Sequence, residues 1–333
     1  MIADEAELEG ILSRPDDALR ADLAAAPGDI LVLGAAGKMG PTLCRLAQRA
    51  DRRVIAVARW SEPGLRDRMA GWGIETLAAD LTDRAALAAL PDAPNLIFLA
   101  ARKFGSTGAE DQTWALNVLL PAMVAERWPD ARHVFLSSGN VLPLVPVLSG
   151  GADEATPPAP IGEYAASVLG RERVYQHAGR TRGTPAFGIR LNYAIDLRYG
   201  VLHDLAQKIV AGTPIPLAMG HANVIWQGDA NAWALRALRY ATPDCPILNV
   251  TGPETVSIRW LATQLGARLG REPAFLGEEA PNALLSNAAR AFALFGYPSV
   301  PLLTMLDWVA DWVGRGGRSL GKATKFEVRD GRF

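Results

Sequence analysis

The chain has 333 residues, of which 49% are hydrophobic and 21% charged, with a formal net charge of −1. Those values are ordinary for a soluble globular protein, and the near-neutral balance argues against a general nucleic-acid binder. No apolar run approaches the ~18 residues that a membrane span needs, and the length exceeds what one compact core usually holds, which predicts a main domain plus a smaller lobe.

Residues 1–28 read as a helical extension ending at Pro27-Gly28. The start, MIADEAELEG, is acidic and lacks the basic-then-apolar pattern of a secretory signal, so a cytoplasmic location is expected. The apolar run Ile30–Leu33 then meets GAAGKMG, Gly34 to Gly40, which opens into a helical stripe of Met39, Leu43, Leu46, Ala47 and Ala50. Strand, glycine turn and helix together form the context of a dinucleotide-binding loop. Gly34 permits the tight turn, Gly37 lets the backbone approach a pyrophosphate, and Gly40 lets helix and strand pack closely. Ala36, Lys38 and Met39 complete the cofactor-facing loop.

Further strand-like runs fall at Val54–Ala58, Ile74–Ala79, Leu96–Ala101, Val134–Ser138 and Ala186–Leu191. This alternation predicts an α/β protein built on a doubly wound parallel sheet, with residues 29–190 as the dinucleotide-binding domain. Gly150–Pro160 reads as a loop. Beyond Leu191 the rhythm changes: helical patterns over Val201–Ala211, Asp229–Tyr240 and Ser257–Leu269 and a strand at Ile247–Thr251 predict a substrate lobe over 191–313, with segments near 220–252 returning to the sheet. Residues 314–333 carry Arg315, Arg318, Lys322, Lys325, Arg329 and Arg332 against Glu327 and Asp330, and read as a solvated basic tail. Cys44 and Cys245 read as reduced, packed thiols. The four histidines show no metal-ligand spacing, so no metal is expected.

The residue that ends the second strand selects between cofactors. Here Ala58-Arg59-Trp60 offers no carboxylate for a ribose hydroxyl, and Arg59 suits a 2′-phosphate, so NADP is favoured and NAD stays possible. Asp80, with Leu81 beside it, either meets the adenine amino group or caps the turn into Thr82 and Asp83.

Several of these segments together resemble the extended short-chain dehydrogenases/reductases, the NAD-dependent epimerase/dehydratase family, from about residue 29 to about residue 313. LIFLAAR, ending near Ala100-Ala101, resembles the fourth strand beside the cofactor. Asn117 in WALNVLLP resembles the asparagine that supports the active site. Ser138 in FLSSGNV resembles the catalytic serine or threonine. Tyr164 in DEATPPAPIGEYAAS resembles the catalytic tyrosine. VIWQGDANAWALRAL, with Asp229, and ILNVTGPETVSIRWLATQLG resemble segments of the substrate lobe. The resemblance implies a Rossmann-like fold with a smaller C-terminal α/β lobe, and hydride chemistry at a hydroxyl or carbonyl, with Tyr164 passing the proton and Ser138 holding the oxygen. It also implies a homodimer, because Gln112–Arg127 and Gly162–Ala178 resemble the helices of the family's dimer interface.

One departure stands out. The family pattern is Tyr-x-x-x-Lys, but the fourth residue after Tyr164 is Val168. A tyrosine without that charge sits nearer its free value of ~10 and is a poor base near neutrality, while a proton donor suffers less. Lys103 and Arg171 are candidate replacement charges, although for each an ordinary structural role is the plainer reading. Ala222 stands where many nucleotide-sugar enzymes of the family place a diphosphate-binding arginine, and Gly139-Asn140 replace the Asp-Glu pair of the sugar dehydratases. The expected substrate is therefore a small sugar-like or polyol molecule, with Lys103, Asn192, Tyr193 and Trp226 around it. Three functions compete: an NAD(P)-dependent oxidoreductase, an epimerase holding NAD, and a decayed dinucleotide-binding sensor or scaffold.

Overall fold

The computed structural model describes residues 1–332. Its centre is a seven-stranded parallel sheet of β1 (Ile30–Leu33), β2 (Val54–Ala58), β3 (Glu75–Ala78), β4 (Asn95–Phe98), β5 (Arg132–Ser138), β6 (Ala186–Leu191) and β7 (Ile247–Val250), in the order β7-β6-β5-β4-β1-β2-β3. The order reverses between β1 and β4, which opens a crevice at their carboxyl ends, the place where open α/β sheets bind ligands. β1, β2 and β4 are buried along their whole length, as strands covered on both faces must be.

The helices are α1 (Glu5–Leu12), α2 (Asp17–Ala24), α3 (Gly40–Arg49), α4 (Leu65–Gly71), α5 (Arg84–Ala88), α6 (Glu110–Trp114), α7 (Leu120–Arg127), α8 (Gly162–Arg182), α9 (Val201–Ala211), α10 (Gln227–Arg236), α11 (Ile258–Leu269), α12 (Ala289–Phe295) and α13 (Leu302–Gly314). One face of the sheet is covered by α2, α3, α10 and α12, through a core that includes Leu23, Leu43, Leu46, Trp233 and Phe295. The other face packs on α7 and α8 through Leu120, Val124, Tyr175 and Ala178. A π-helical turn, Ala115–Leu119, joins α6 to α7.

A second core gathers α9, α11 and α13. The N-terminal extension divides between the two cores. Asp4 and Asp16 cap its helices by accepting from Glu7 N and Leu19 N. Leu8 and Leu12 of α1 then join the second core, while Leu19 and Leu23 of α2 join the first.

The basic tail corrects the sequence expectation of a solvated end. Leu320 N donates to Arg198 O, and Thr324 donates through both its N and its Oγ1 to Asp204. Phe326 is buried in the second core. Arg329 donates to the carbonyls of Ala218 and Asn282. Phe333, the last residue of that tail, lies outside the described residues. Among the described residues no helix is long and apolar enough to cross a membrane, and no group of histidines, cysteines and carboxylates is placed to hold a metal.

Candidate active site

The glycine loop is shaped by close approaches. Gly34 has φ +86°, and a Cβ there would lie 2.6 Å from Ala100 N. A Cβ on Gly40 would lie 2.1 Å from Ala35 O. Neither position tolerates a side chain. Gly37 differs: it is exposed, and a Cβ there would approach only Gly34 O, at 3.4 Å. The protein's own packing therefore does not demand this glycine. The loop is open above the N-terminus of α3, whose free amides suit a pyrophosphate, so the residues present fit a dinucleotide.

A cavity of about 540 Å³ runs from this loop into the cleft between the two cores. Gly37, Lys38, Met39 and Gly40 line one end, and Ser138, Tyr164, Arg171, Asn192, Tyr193 and Lys103 line the other. Ser138 ends β5, Tyr164 sits in the first turn of α8, and Asn192 and Tyr193 follow β6. The Ser138 hydroxyl is hydrogen-bonded to Tyr164 and accepts from both the backbone N and the Nδ2 of Asn140. Burial raises the Tyr164 hydroxyl above its ordinary value, while the Ser138 bond and the nearby Arg171 charge pull it down.

Asn117 lies behind these groups in the π-helical turn, a distortion that often marks functional positions. Its Oδ1 accepts from Arg102 N at 3.0 Å and from Arg171 Nη2 at 2.9 Å, and its Nδ2 donates to Ser167 Oγ at 2.9 Å. It thus ties the loop after β4 to α8. Asn192 Nδ2 is buried, has no hydrogen-bond partner among the described residues, and lines the cavity, so a substrate acceptor would satisfy it. Gly139 admits Asn192, because a Cβ there would lie 3.1 Å from the amide carbon. Tyr193 holds φ +46° beside it, an uncommon conformation for a non-glycine residue.

Lys38, Lys103 and Lys322 line the cavity. Lys38 Nζ lies 3.5 Å above the centre of the Tyr199 ring, and burial pulls its pKa down to about 7. Lys103 donates to Thr324 O at 3.3 Å, and burial lowers its pKa to about 8. Lys322 and Thr324 bring the C-terminal segment into the cavity wall, which charge composition alone did not signal. Ala36 lines a smaller neighbouring cavity of about 250 Å³ with Arg68, Arg198 and Arg318.

Other expected residues lie elsewhere. Trp226 is a correction: it is 2% exposed, sits in the second core 5.3 Å edge-on from Trp308, and lies away from the cavity. Gly228 makes room for its ring, since a Cβ there would lie 2.7 Å from Trp226 Nε1. Ala101 reaches the main cavity, whereas Ala100 stands behind it against Gly34. Arg59 and Asp80 are exposed beyond the cavity, and the Leu81 side chain is buried against the sheet. Asp80 Oδ1 accepts from Thr82 N and Thr82 Oγ1, the turn-capping arrangement. Asp229 accepts from Ser299 Oγ at 2.7 Å.

Comparison with known proteins places this geometry. The family model described as Epimerase, NAD dependent epimerase/dehydratase family, matches residues 30–217. No functionally curated protein sequence matches the chain significantly. Among solved structures, Pal from Bacillus thuringiensis is similar at 18% identity and a TM-score of 0.75, over 86% of this chain and 99% of that one. The UDP-glucose 4-epimerase of Thermus thermophilus, in complex with NAD, is 19% identical with a TM-score of 0.72 over the same shares. DesIV, a dTDP-glucose 4,6-dehydratase from Streptomyces venezuelae with NAD bound, is 19% identical with a TM-score of 0.73, over 86% of this chain and 97% of that one. At these identities the likeness is one of fold.

Proposed function

The chain belongs to the NAD-dependent epimerase/dehydratase family, and we propose that within it the protein is an NAD(P)-dependent oxidoreductase acting on a hydroxyl or carbonyl group of a small sugar-like or polyol substrate. The observation that carries this reading is the hydrogen-bonded pair of Ser138 and Tyr164 at the inner end of a cavity whose other end is the open glycine loop. A nicotinamide dinucleotide held at the Gly34–Gly40 loop would supply the hydride chemistry at the substrate carbon. Tyr164 gives its proton to the carbonyl oxygen as the new C–H bond forms and is left as the phenolate. Ser138 holds that oxygen by hydrogen bonding, and the orphan Nδ2 of Asn192 is a further donor toward the substrate. The raised Tyr164 hydroxyl suits a donor better than a base, which favours the reductive direction.

A second reading, an epimerase that keeps NAD bound, draws support from the UDP-sugar epimerase among the similar structures. Arg59 is the basis for proposing NADP over NAD. We also propose a homodimer through α6, α7 and α8, where Trp114, Leu119 and Ile161 expose large apolar surfaces; a monomer in sedimentation would refute it.

The test is to denature the purified protein, identify any dinucleotide released, titrate the emptied protein with NADPH and NADH, and then screen small keto-sugars. NADPH binding with Tyr164→Phe turnover lowered on the order of 10²–10⁴-fold and binding retained supports the reading. Tightly held NAD favours the epimerase. Binding of neither dinucleotide refutes the cofactor assignment and leaves a catalytically decayed scaffold.

A further inference from the structure

Arg171 is 1% exposed, yet among the described residues none of its hydrogen bonds goes to a carboxylate. Its Nη1 donates to Leu136 O at 2.6 Å, its Nη2 to Asn117 Oδ1 and its Nε to Asn117 O at 3.3 Å. The adjacent carboxylate, Glu172, is committed elsewhere: it receives Arg190 through two bonds of 2.8 Å and the Ser137 hydroxyl at 2.6 Å. A buried guanidinium held only by neutral oxygens is costly, and such a group persists where its charge is used. Arg171 follows Tyr164 by seven residues, which places both on nearly the same face of α8, about 10 Å apart along its axis. A long helical side chain leans toward the helix N-terminus, so the guanidinium reaches back toward the tyrosine. Both residues line the one cavity.

We propose that Arg171 is a positioning residue that supplies, from two turns along α8, the positive charge that the family pattern draws from a lysine at the position of Val168. This rests on Tyr164 being the proton donor. As the proton leaves Tyr164 for the substrate oxygen, the phenolate left behind becomes the counter-charge that Arg171 lacks, and no other oxidant, reductant or leaving group is needed. Among the described residues, other polar and charged groups facing Tyr164 include Ser138 on β5, Lys103 after β4, whose ammonium is 5.8 Å from the ring centre, and Tyr199 after β6. Burial pulls the Lys103 ammonium down to about 8, below the range in which a tyrosine ionises, whereas burial lowers Arg171 from a far higher starting value and a guanidinium keeps its charge through the alkaline range. The alkaline range therefore separates the two.

The experiment is a tyrosinate absorbance titration of the unliganded protein, with Tyr164 isolated by subtracting the Y164F curve. It needs no substrate, so it stands apart from any failure to find turnover. Arg171→Gln is expected to move the Tyr164 titration up by about one pH unit or more, roughly a tenfold loss of phenolate at fixed pH. Arg171→Lys places at that buried site an ammonium that burial discharges as it does Lys103, so its curve should move up with that of R171Q, and Lys103→Met should move the curve little. Once a substrate is in hand, the alkaline limb of kcat for alcohol oxidation should rise in step in R171Q, with KM little changed. If R171Q does not fold, R171M, which keeps an apolar stem of similar length, takes its place. An unmoved curve in R171Q overturns the proposal. A shift in K103M as large as that in R171Q overturns it too, because the field at Tyr164 would then not be specific to Arg171. Full turnover by Y164F together with a shifted R171Q curve would instead sink Tyr164 as the donor and leave the electrostatic link standing.

Discussion

Two buried cationic regions lie one residue apart on α8. On the side facing β5 and β6, Glu172 and Arg190 form a fork-to-fork pair, and Ser137 supplies another bond, so charge and hydrogen bonds are balanced within the protein. On the cavity side, Arg171 is met by carbonyl and amide oxygens, and Lys38 by the face of an aromatic ring, with burial lowering the pKa of both. The first region is complete as it stands. In the second, the printed hydrogen bonds of Arg171 and the ring contact of Lys38 go to neutral groups, which suits a site that receives a phosphate or a transient phenolate.

The largest effect comes from breaking the balanced region. Glu172→Gln leaves Arg190 buried opposite a neutral amide and should cost about 3–5 kcal/mol of stability, read by denaturant unfolding. A loss below about 1 kcal/mol would mean that the two regions do not differ as described. A smaller effect is expected at Val168, which is 1% exposed and packed among Val141, Leu142, Ala152 and Tyr164. Val168→Lys puts an ammonium into that apolar cluster and should cost about 2 kcal/mol or more without improving catalysis. If this variant instead matched wild-type stability and moved the Tyr164 titration down, the missing lysine's place would be open after all and the case for Arg171 would weaken.

The contrast between these regions also marks how far the sequence could be read. β1, the glycine loop and α3 are contiguous, and Gly34 and Gly40 each answer to a close approach, so local pattern foretold them. Ser138, Tyr164 and Asn117 were legible as a family order of residue types. Arg171 was visible only as a residue two turns past Tyr164. Its burial, and the commitment of Glu172 to Arg190, depend on how strands far apart in sequence are laid side by side. Trp226 misled because a large aromatic near a substrate segment looks the same whether it faces a cavity or a core. The tail misled for a related reason. Its charges read as solvated, yet its order comes from Thr324 on Asp204 and Arg329 on Ala218 and Asn282, contacts that span tens to hundreds of residues and leave no periodic trace.

The smallest effect, and the one that probes the cavity side most directly, is the pH dependence of Lys38. An unfolded lysine holds its proton up to about 10.5, whereas Lys38 in the folded protein releases it near 7. As pH falls from 10.5 toward 7 the unfolded chain takes up a proton that the folded chain does not, so this residue lowers stability across that window. Lys38→Met should therefore be more stable than wild type at pH 8. Ligand binding should run the other way. An anionic dinucleotide in the cavity favours the charged lysine, so its affinity should be greatest below pH 7 and fall about tenfold as pH rises one to two units above it, with proton uptake on binding. Fluorescence titration with NADPH across that range should show the fall in wild type, a weaker and flatter curve in K38M, and a tight, flat one in Lys38→Arg. A wild-type curve as flat as that of K38M would show that Lys38 does not meet the bound anion.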